Sequence, residues 1–387
     1  MTGNRFPPLS RRDLMRYGLA AGVVLATPRL FAATAAEALY ARSVVIDGLG
    51  VPGGLGEEGE TLSDAEVADL AASGLSATHL TVGAVGTMAP LAAFEKIVRD
   101  VTHWDAEIAA HPGVLAAVRT ADDIRAAAAA GRVGLVYGLQ DGVSFEDDPG
   151  RMDALAHIGI RVIQPTYNRR NLLGDGCMEP ADAGLSRAGA EAVERMQSLG
   201  ILLDLSHCGR RTAADAIARS RRPVAFTHTG CNALVEHPRH RTDEELRAVS
   251  ETGGVSGIFV MPYLARGKQP TAADVIAHLE HAIAVAGEDH VSVGTDGMIS
   301  PTELTDAYRE RFRDMTRTRR ERGIAAPYET DEGYLFASDL NTPRRFETLA
   351  EKLLQRGHGE ARVEKLLGGN LLRVFGEAWG EPRSVAA

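Results

Sequence analysis

The strongest constraint on this chain is the alternation of short β-like runs with longer stretches of helical periodicity. The runs are Ser43–Asp47, Ser76–Val82, Val133–Leu139, Val162–Thr166, Ile201–Ser206, Pro223–Thr227, Gly254–Val260 and Val291–Thr295. Several are apolar throughout, which is how strands buried on both faces read. Between them lie helical patterns at Asp64–Ser73, Pro90–His111, Ala121–Ala130, Leu185–Leu199, Arg210–Ser220 and Asp243–Thr252, with Gly at several of the helix-to-strand junctions. Eight strand-then-helix units in roughly 250 residues predict an α/β fold, a (β/α)8 TIM-type barrel. A doubly wound open sheet is the competitor. It is disfavoured because no glycine fingerprint follows the first run and the repeats do not divide into two halves. Ser300–Pro343 is polar and irregular and reads as an insertion at about 300–343, after the last strand. Pro343–Arg356 and Glu360–Phe375 read as closing helices of one domain spanning 43–380.

Residues 1–33 read differently. Ser10-Arg11-Arg12-Asp13-Leu14-Met15 is a twin-arginine pattern, followed by a modest apolar stretch from Tyr17 to Thr27 and small residues at Ala32, Ala33, Ala35 and Ala36. That order is the order of an export signal, and it predicts a periplasmic or extracellular protein. Removing the signal takes away five arginines and one aspartate and deepens the net charge from −10 to −14. So acidic a chain argues against a nucleic-acid or anionic-membrane partner. No apolar run beyond residue 33 is long enough to span a bilayer. Three cysteines allow one disulfide at most, so the fold does not depend on a disulfide framework.

In barrels of this kind the chemistry sits where strands end and the following loops begin. The residues just past the runs are Gln140-Asp141, Tyr167-Asn168, His207, His228 and Asp296. Two imidazoles and a carboxylate on one rim suit an open catalytic zinc site. The metal would lower the pKa of a bound water, and Asp296, beside the metal, would move the proton. Arg239-His240-Arg241 is a compact basic cluster after the sixth run, suited to a substrate carboxylate because arginine binds carboxylates bidentately. Other candidates are weaker. Cys177-Met178-Glu179, after Gly174-Asp175-Gly176, reads as a turn or lid. Cys208 reads as a small buried thiol, His79 as packing, and His278 and His281 as surface or helix-packing residues.

The strings DLSHCG (Asp204–Gly209), PVAFTHTGCNAL (Pro223–Leu234), HPRHRTDEEL (His237–Leu246), GGVSGI (Gly253–Ile258), HVSVGTD (His290–Asp296) and LLGGNLLRVF (Leu366–Phe375), with VVIDG at Val44–Gly48, resemble the membrane (renal) dipeptidase family of zinc peptidases. The resemblance implies a barrel of the metal-dependent hydrolase kind with a two-zinc site that cleaves dipeptides. Within it His207 and His228 match two ligands of one zinc, Asp296 the acidic residue of the site, and Arg239 the arginine that holds the substrate carboxylate. Three positions depart. Leu49-Gly50-Val51 stands where the family has a His-x-Asp pair on the other zinc, Gln140 where it has the bridging glutamate, and Tyr167 where it has the histidine that polarises the scissile carbonyl.

The expected site is therefore mononuclear. His207, His228 and Gln140 are the metal set, Asp296 and Tyr167 the catalytic pair, and Arg239, Asn168 and His240 the substrate contacts. The expected cofactor is one zinc, and the expected partner is a dipeptide or other small molecule, with a homodimer left open. A non-peptidase enzyme on the same barrel and an inactive binding homologue are the alternatives.

Overall fold

The computed structural model describes residues 34–53, 59–86, 88–331 and 334–380, so the twin-arginine pattern and its apolar stretch lie outside the described residues. From Ala35 onward the chain is one compact unit. Its strands are β1 (Ile46–Asp47), β2 (Gly50–Val51), β3 (Ala77–Thr81), β4 (Leu115–Ala117), β5 (Val133–Leu139), β6 (Ile160–Ile163), β7 (Leu202–Leu203), β8 (Ala225–Cys231), β9 (His240–Arg241), β10 (Val255–Ile258), β11 (Val291–Val293) and β12 (Gly297–Met298).

Eight of these form the barrel wall, all parallel. One arc runs β1-β3-β5-β6-β7 and the other β8-β10-β11. The Leu205 amide donates to the Ala225 carbonyl at 2.8 Å and joins the arcs on one side, while Gly48 N donates to Val293 O at 3.0 Å on the other. The eight wall strands fall on the eight runs. Four extra pieces lie outside that count. β4 pairs with the first half of β5, β9 extends β8, and β2 pairs with β12 at the barrel top. All four are two or three residues long, too short to leave a periodic signal.

The wall is buried on both faces. Every residue of β5, VGLVYGL, and of β8, AFTHTGC, is inaccessible. The outer face meets the helices. The inner face is narrow enough that backbone fills part of it. A Cβ on Gly257 or Gly294 would lie 2.1 or 2.0 Å from the Thr227 carbonyl oxygen, a contact no side chain makes.

The carboxylates inside the barrel are paired, as low-dielectric surroundings require. The Asp204 carboxylate accepts from Gln164 Nε2 (2.8 Å), Ser206 Oγ (2.6 Å), Thr227 Oγ1 (2.6 Å) and the amides of Ser206 and Thr227. Asp47 accepts from Thr295 N and Oγ1 at 2.7 and 2.6 Å. His79 lies inside the barrel too, its Nδ1 2.8 Å from Gly48 O.

The polar segment after the last strand is more ordered than its sequence suggests. It contains a helix, Asp306–Glu321, begun by Thr305, whose hydroxyl accepts from Tyr308 N, and burying Tyr308, Phe312 and Thr316. Its cluster of arginines hides this narrow apolar stripe from a periodicity reading. The chain then closes with helices Arg345–Gln355 and Asn370–Trp379.

Candidate active site

The strand ends converge. Tyr167, Asn168, His207, Arg239 and Asp296 line one cavity of about 100 Å³, together with Tyr263, Arg319 and Glu329. His228 stands beside it, its ring 5.1 Å from that of His207. Tyr167 stacks on His207, with centroids 4.0 Å apart. Two expected members are elsewhere. Gln140 is half-buried, its Nε2 donating to Thr81 Oγ1 at 2.7 Å. His240 packs among His237, Phe259 and His278 and gives its Nδ1 proton to Val235 O at 2.7 Å.

The hydrogen bonds fix the tautomers of both site histidines. Thr227 Oγ1 spends its proton on Asp204 Oδ2, which can only accept, so Oγ1 must accept from His228 Nδ1 at 2.8 Å. Asn168 gives its Nδ2 to the Ile324 carbonyl at 2.7 Å, so its Oδ1 faces His207 Nδ1 at 2.5 Å as acceptor. In each ring Nδ1 carries the proton and Nε2 presents a bare lone pair. His228 Nε2 is buried without a partner, as is Gln140 Oε1.

Burial, reinforced by the positive charge of Arg239, holds both imidazoles well below the ordinary histidine pKa, so they are neutral near pH 7.

Arg239 is fully buried. Its guanidinium is held by the Ser206 carbonyl and by His228 O at 3.3 Å. Among the described residues it has no carboxylate in salt-bridge contact, a condition that suits a buried cation to an anionic ligand. Asp296 lies across the cavity with φ of 55°, a left-handed conformation uncommon outside Gly, Asn and Asp. Burial lifts its carboxyl to about 6 against the opposing pull of Arg239 and Arg319, which suits a group that must take and return a proton.

Arg319, Glu329 and Tyr263 were missed by the sequence reading. Arg319 and Glu329 come from the polar segment after the last strand, and nothing in its spacing marks them. Tyr263 follows β10, at a strand end the reading left without a candidate.

Cys177 and Cys208 adjoin a second, larger cleft of about 470 Å³, lined also by Glu179, Arg241 and Tyr328. The three cysteines are unpaired. Burial pushes the Cys208 thiol up to about 12, which makes it inert.

A parallel eight-stranded barrel that gathers two neutral imidazoles, a carboxyl lifted to about 6 and a buried guanidinium at the carboxyl ends of its strands places the chain in the TIM-barrel class. The particular family follows from comparison with known proteins. The membrane dipeptidase (peptidase family M19) model matches residues 34–323 and 321–383, and the chain belongs to that family.

A dipeptidase of Clonostachys rogersoniana, verJ, is 28% identical over 263 residues, 67% of this chain and 59% of that one. The matched region thus covers less than two thirds of that relative's length. An amidohydrolase from Pseudomonas aeruginosa of known structure is 32% identical, with a TM-score of 0.76 over 89% of this chain and 99% of the other. A metallopeptidase from Rhodobacter sphaeroides, solved with a phosphinate mimic of L-Ala-D-Ala, shares the fold at 19% identity, with a TM-score of 0.70 over 87% of this chain and all of the other.

The family implies a metal, generally zinc. Among the described residues no three of His, Cys, Asp and Glu come together as a metal site. Leu49 and Val51, at the first strand's end, offer no metal donors. The lone pairs of His207 Nε2 and His228 Nε2 are two donors toward a single ion, and an acceptor on each imidazole Nδ1–H is the usual support for a ligating histidine; Gln140, expected as a third donor, stands apart from them, bonded to Thr81. The two imidazoles supply part of the shell of one ion.

Proposed function

We propose that this chain is an exported hydrolase of dipeptides or similarly small amides, working with a single zinc ion. The observation that carries the reading is the convergence of His207, Asp296, Tyr167 and Arg239 on one cavity, with the second tautomer-fixed imidazole, His228, against His207. His207 and His228 would hold the ion, which when bound supplies a water acidic enough to ionise near neutral pH.

The chain's own groups do the rest. Arg239 receives the substrate's terminal carboxylate and so fixes the scissile carbonyl relative to the strand ends. Tyr167 presents its hydroxyl to that carbonyl oxygen, where negative charge develops in the transition state. Asp296 accepts a proton from the attacking water and returns it to the departing amine nitrogen, a transfer matched to a carboxyl lifted to about 6. Export rests on the Ser10–Met15 pattern.

The test is metal analysis of purified protein together with a panel of dipeptides. One zinc per chain and hydrolysis abolished in His207→Ala support the reading. Absence of stoichiometric metal, or full activity in His207→Ala, would overturn it.

A further inference from the structure

Arg319 projects from the end of helix Asp306–Glu321 into the cavity, beside the position where the family's carbonyl-polarising histidine has become a tyrosine. Its Nη1 and Nη2 both lie 3.3 Å from Tyr167 Oη. A guanidinium only donates, so these contacts occupy lone pairs of the phenol oxygen and leave the phenol proton uncommitted. The described residues offer that proton no acceptor, and Tyr167 itself lines the cavity.

The guanidinium is held in place from behind. Nε donates to Glu329 Oε1 and Nη2 to Oε2 at 3.3 Å, and Glu329 accepts in addition from Ala326 N at 2.9 Å and Tyr263 Oη at 3.4 Å. The phenol ring is fixed by its stack on His207. The charged groups that face Tyr167 are Arg319, Arg239 and Asp296, and Arg319 is the one in hydrogen-bond contact with its hydroxyl.

Building on the hydrolase reading, we propose that Arg319 is a positioning residue that turns the Tyr167 hydroxyl into a hydrogen-bond donor for the oxygen of the scissile carbonyl. A neutral phenol alone is a modest hydrogen-bond donor to a developing oxyanion. A phenol whose oxygen is already bonded to a fixed cation is a stronger donor, because hydrogen bonds in series polarise one another, and the cation also stabilises the oxyanion the phenol touches. Glu329 and Tyr263 serve to keep the guanidinium in register with Tyr167.

The experiment compares wild type with Arg319→Lys, Tyr167→Phe, the charge-balanced pair Arg319→Met with Glu329→Gln, and the triple variant that adds Tyr167→Phe. The paired change avoids leaving the Glu329 carboxylate buried alone. Steady-state hydrolysis of a dipeptide gives kcat and KM. Calorimetric titration with a phosphinate analogue of that dipeptide reads affinity for a tetrahedral anion.

The expected result is a loss of roughly 100-fold in kcat with KM changed less than threefold, the same in the paired variant and in Tyr167→Phe, no further loss in the triple variant, and partial recovery in Arg319→Lys. Phosphinate affinity should fall in parallel. Multiplicative losses in the triple variant, an effect confined to KM, or unchanged phosphinate affinity in the paired variant overturns the proposal. Wild-type protein that neither hydrolyses dipeptides nor binds the phosphinate fails at the earlier step, and overturns the hydrolase reading and this inference with it.

Discussion

Asp296 should cost the protein stability at the pH where it is useful. Its carboxyl is lifted from the ordinary 3.8 to about 6, mainly by burial, with Arg239 and Arg319 recovering only part of the penalty. Each pKa unit is 1.36 kcal/mol, so the shift corresponds to about 3 kcal/mol. This is an upper value, because the side chain meets the cavity. The sign follows from proton counting. Between pH 3.8 and 6 the folded state holds the proton more tightly than the unfolded state, so folding is favoured at acid pH and that advantage is lost as pH rises through about 6. Asp296→Asn removes the titration and keeps a residue that tolerates φ of 55°. The variant should therefore be more stable than wild type at pH 7 by up to about 3 kcal/mol and nearly equal to it at pH 4, while hydrolysis falls by roughly 100-fold or more. The assay is urea unfolding at both pH values in the presence of a chelator, read as the difference between variant and wild type so that other buried carboxyls such as Asp47 and Asp141 cancel. A variant less stable than wild type at pH 7, or a difference that is the same at both pH values, would refute the assignment of the shift to burial.

Arg239→Met should raise KM by roughly 10- to 100-fold for a dipeptide with a free carboxylate, the worth of a charge-assisted hydrogen bond. It should barely change KM for the same dipeptide amidated at its C-terminus, and equal losses on both substrates would remove the carboxylate from its role. Thr227→Val takes away the acceptor for His228 Nδ1–H and a donor to Asp204. Zinc affinity measured by competition with a chromophoric chelator should fall roughly 10- to 100-fold, and unchanged affinity would mean that the tautomer is not set by this bond. Gly294→Ala places a Cβ 2.0 Å from the Thr227 carbonyl oxygen. The clash is with backbone and cannot be relieved by a rotamer, so chemical unfolding should show a loss of about 3 kcal/mol. A loss below about 1 kcal/mol would show that the barrel interior is looser than described.

What the sequence revealed and what it hid divide along a physical line. The wall strands were legible because burial on both faces demands apolar runs, and a helix must separate consecutive parallel strands. Tyr167, Asn168, His207 and Asp296 were legible because a barrel gathers its strand ends at one rim wherever they fall in the chain. Arg239 was legible from its basic cluster and from the family string. Neither rule reaches Arg319 and Glu329. They lie ten residues apart in a segment that reads as solvated, and Arg319 sits on a helix whose six arginines, counted from Arg309 to Arg320, differ only in what they face. Arg309 meets Tyr334, Arg317 meets Asp314, and Arg319 alone reaches Tyr167. Only docking of the helix separates the functional guanidinium from the solvated ones. That docking runs through acceptors carrying no side-chain signal, the Ile324 carbonyl that takes Asn168 Nδ2 and the Pro327 carbonyl opposite His237 Nε2. The same bond that anchors the segment through Asn168 orients the Oδ1 that fixes the His207 tautomer. The added segment and the strand-end histidine are therefore one construction. A deletion of 306–329 should not leave a simply uncovered barrel, but one in which Asn168, the partner of His207 Nδ1, has lost the carbonyl that orients its amide.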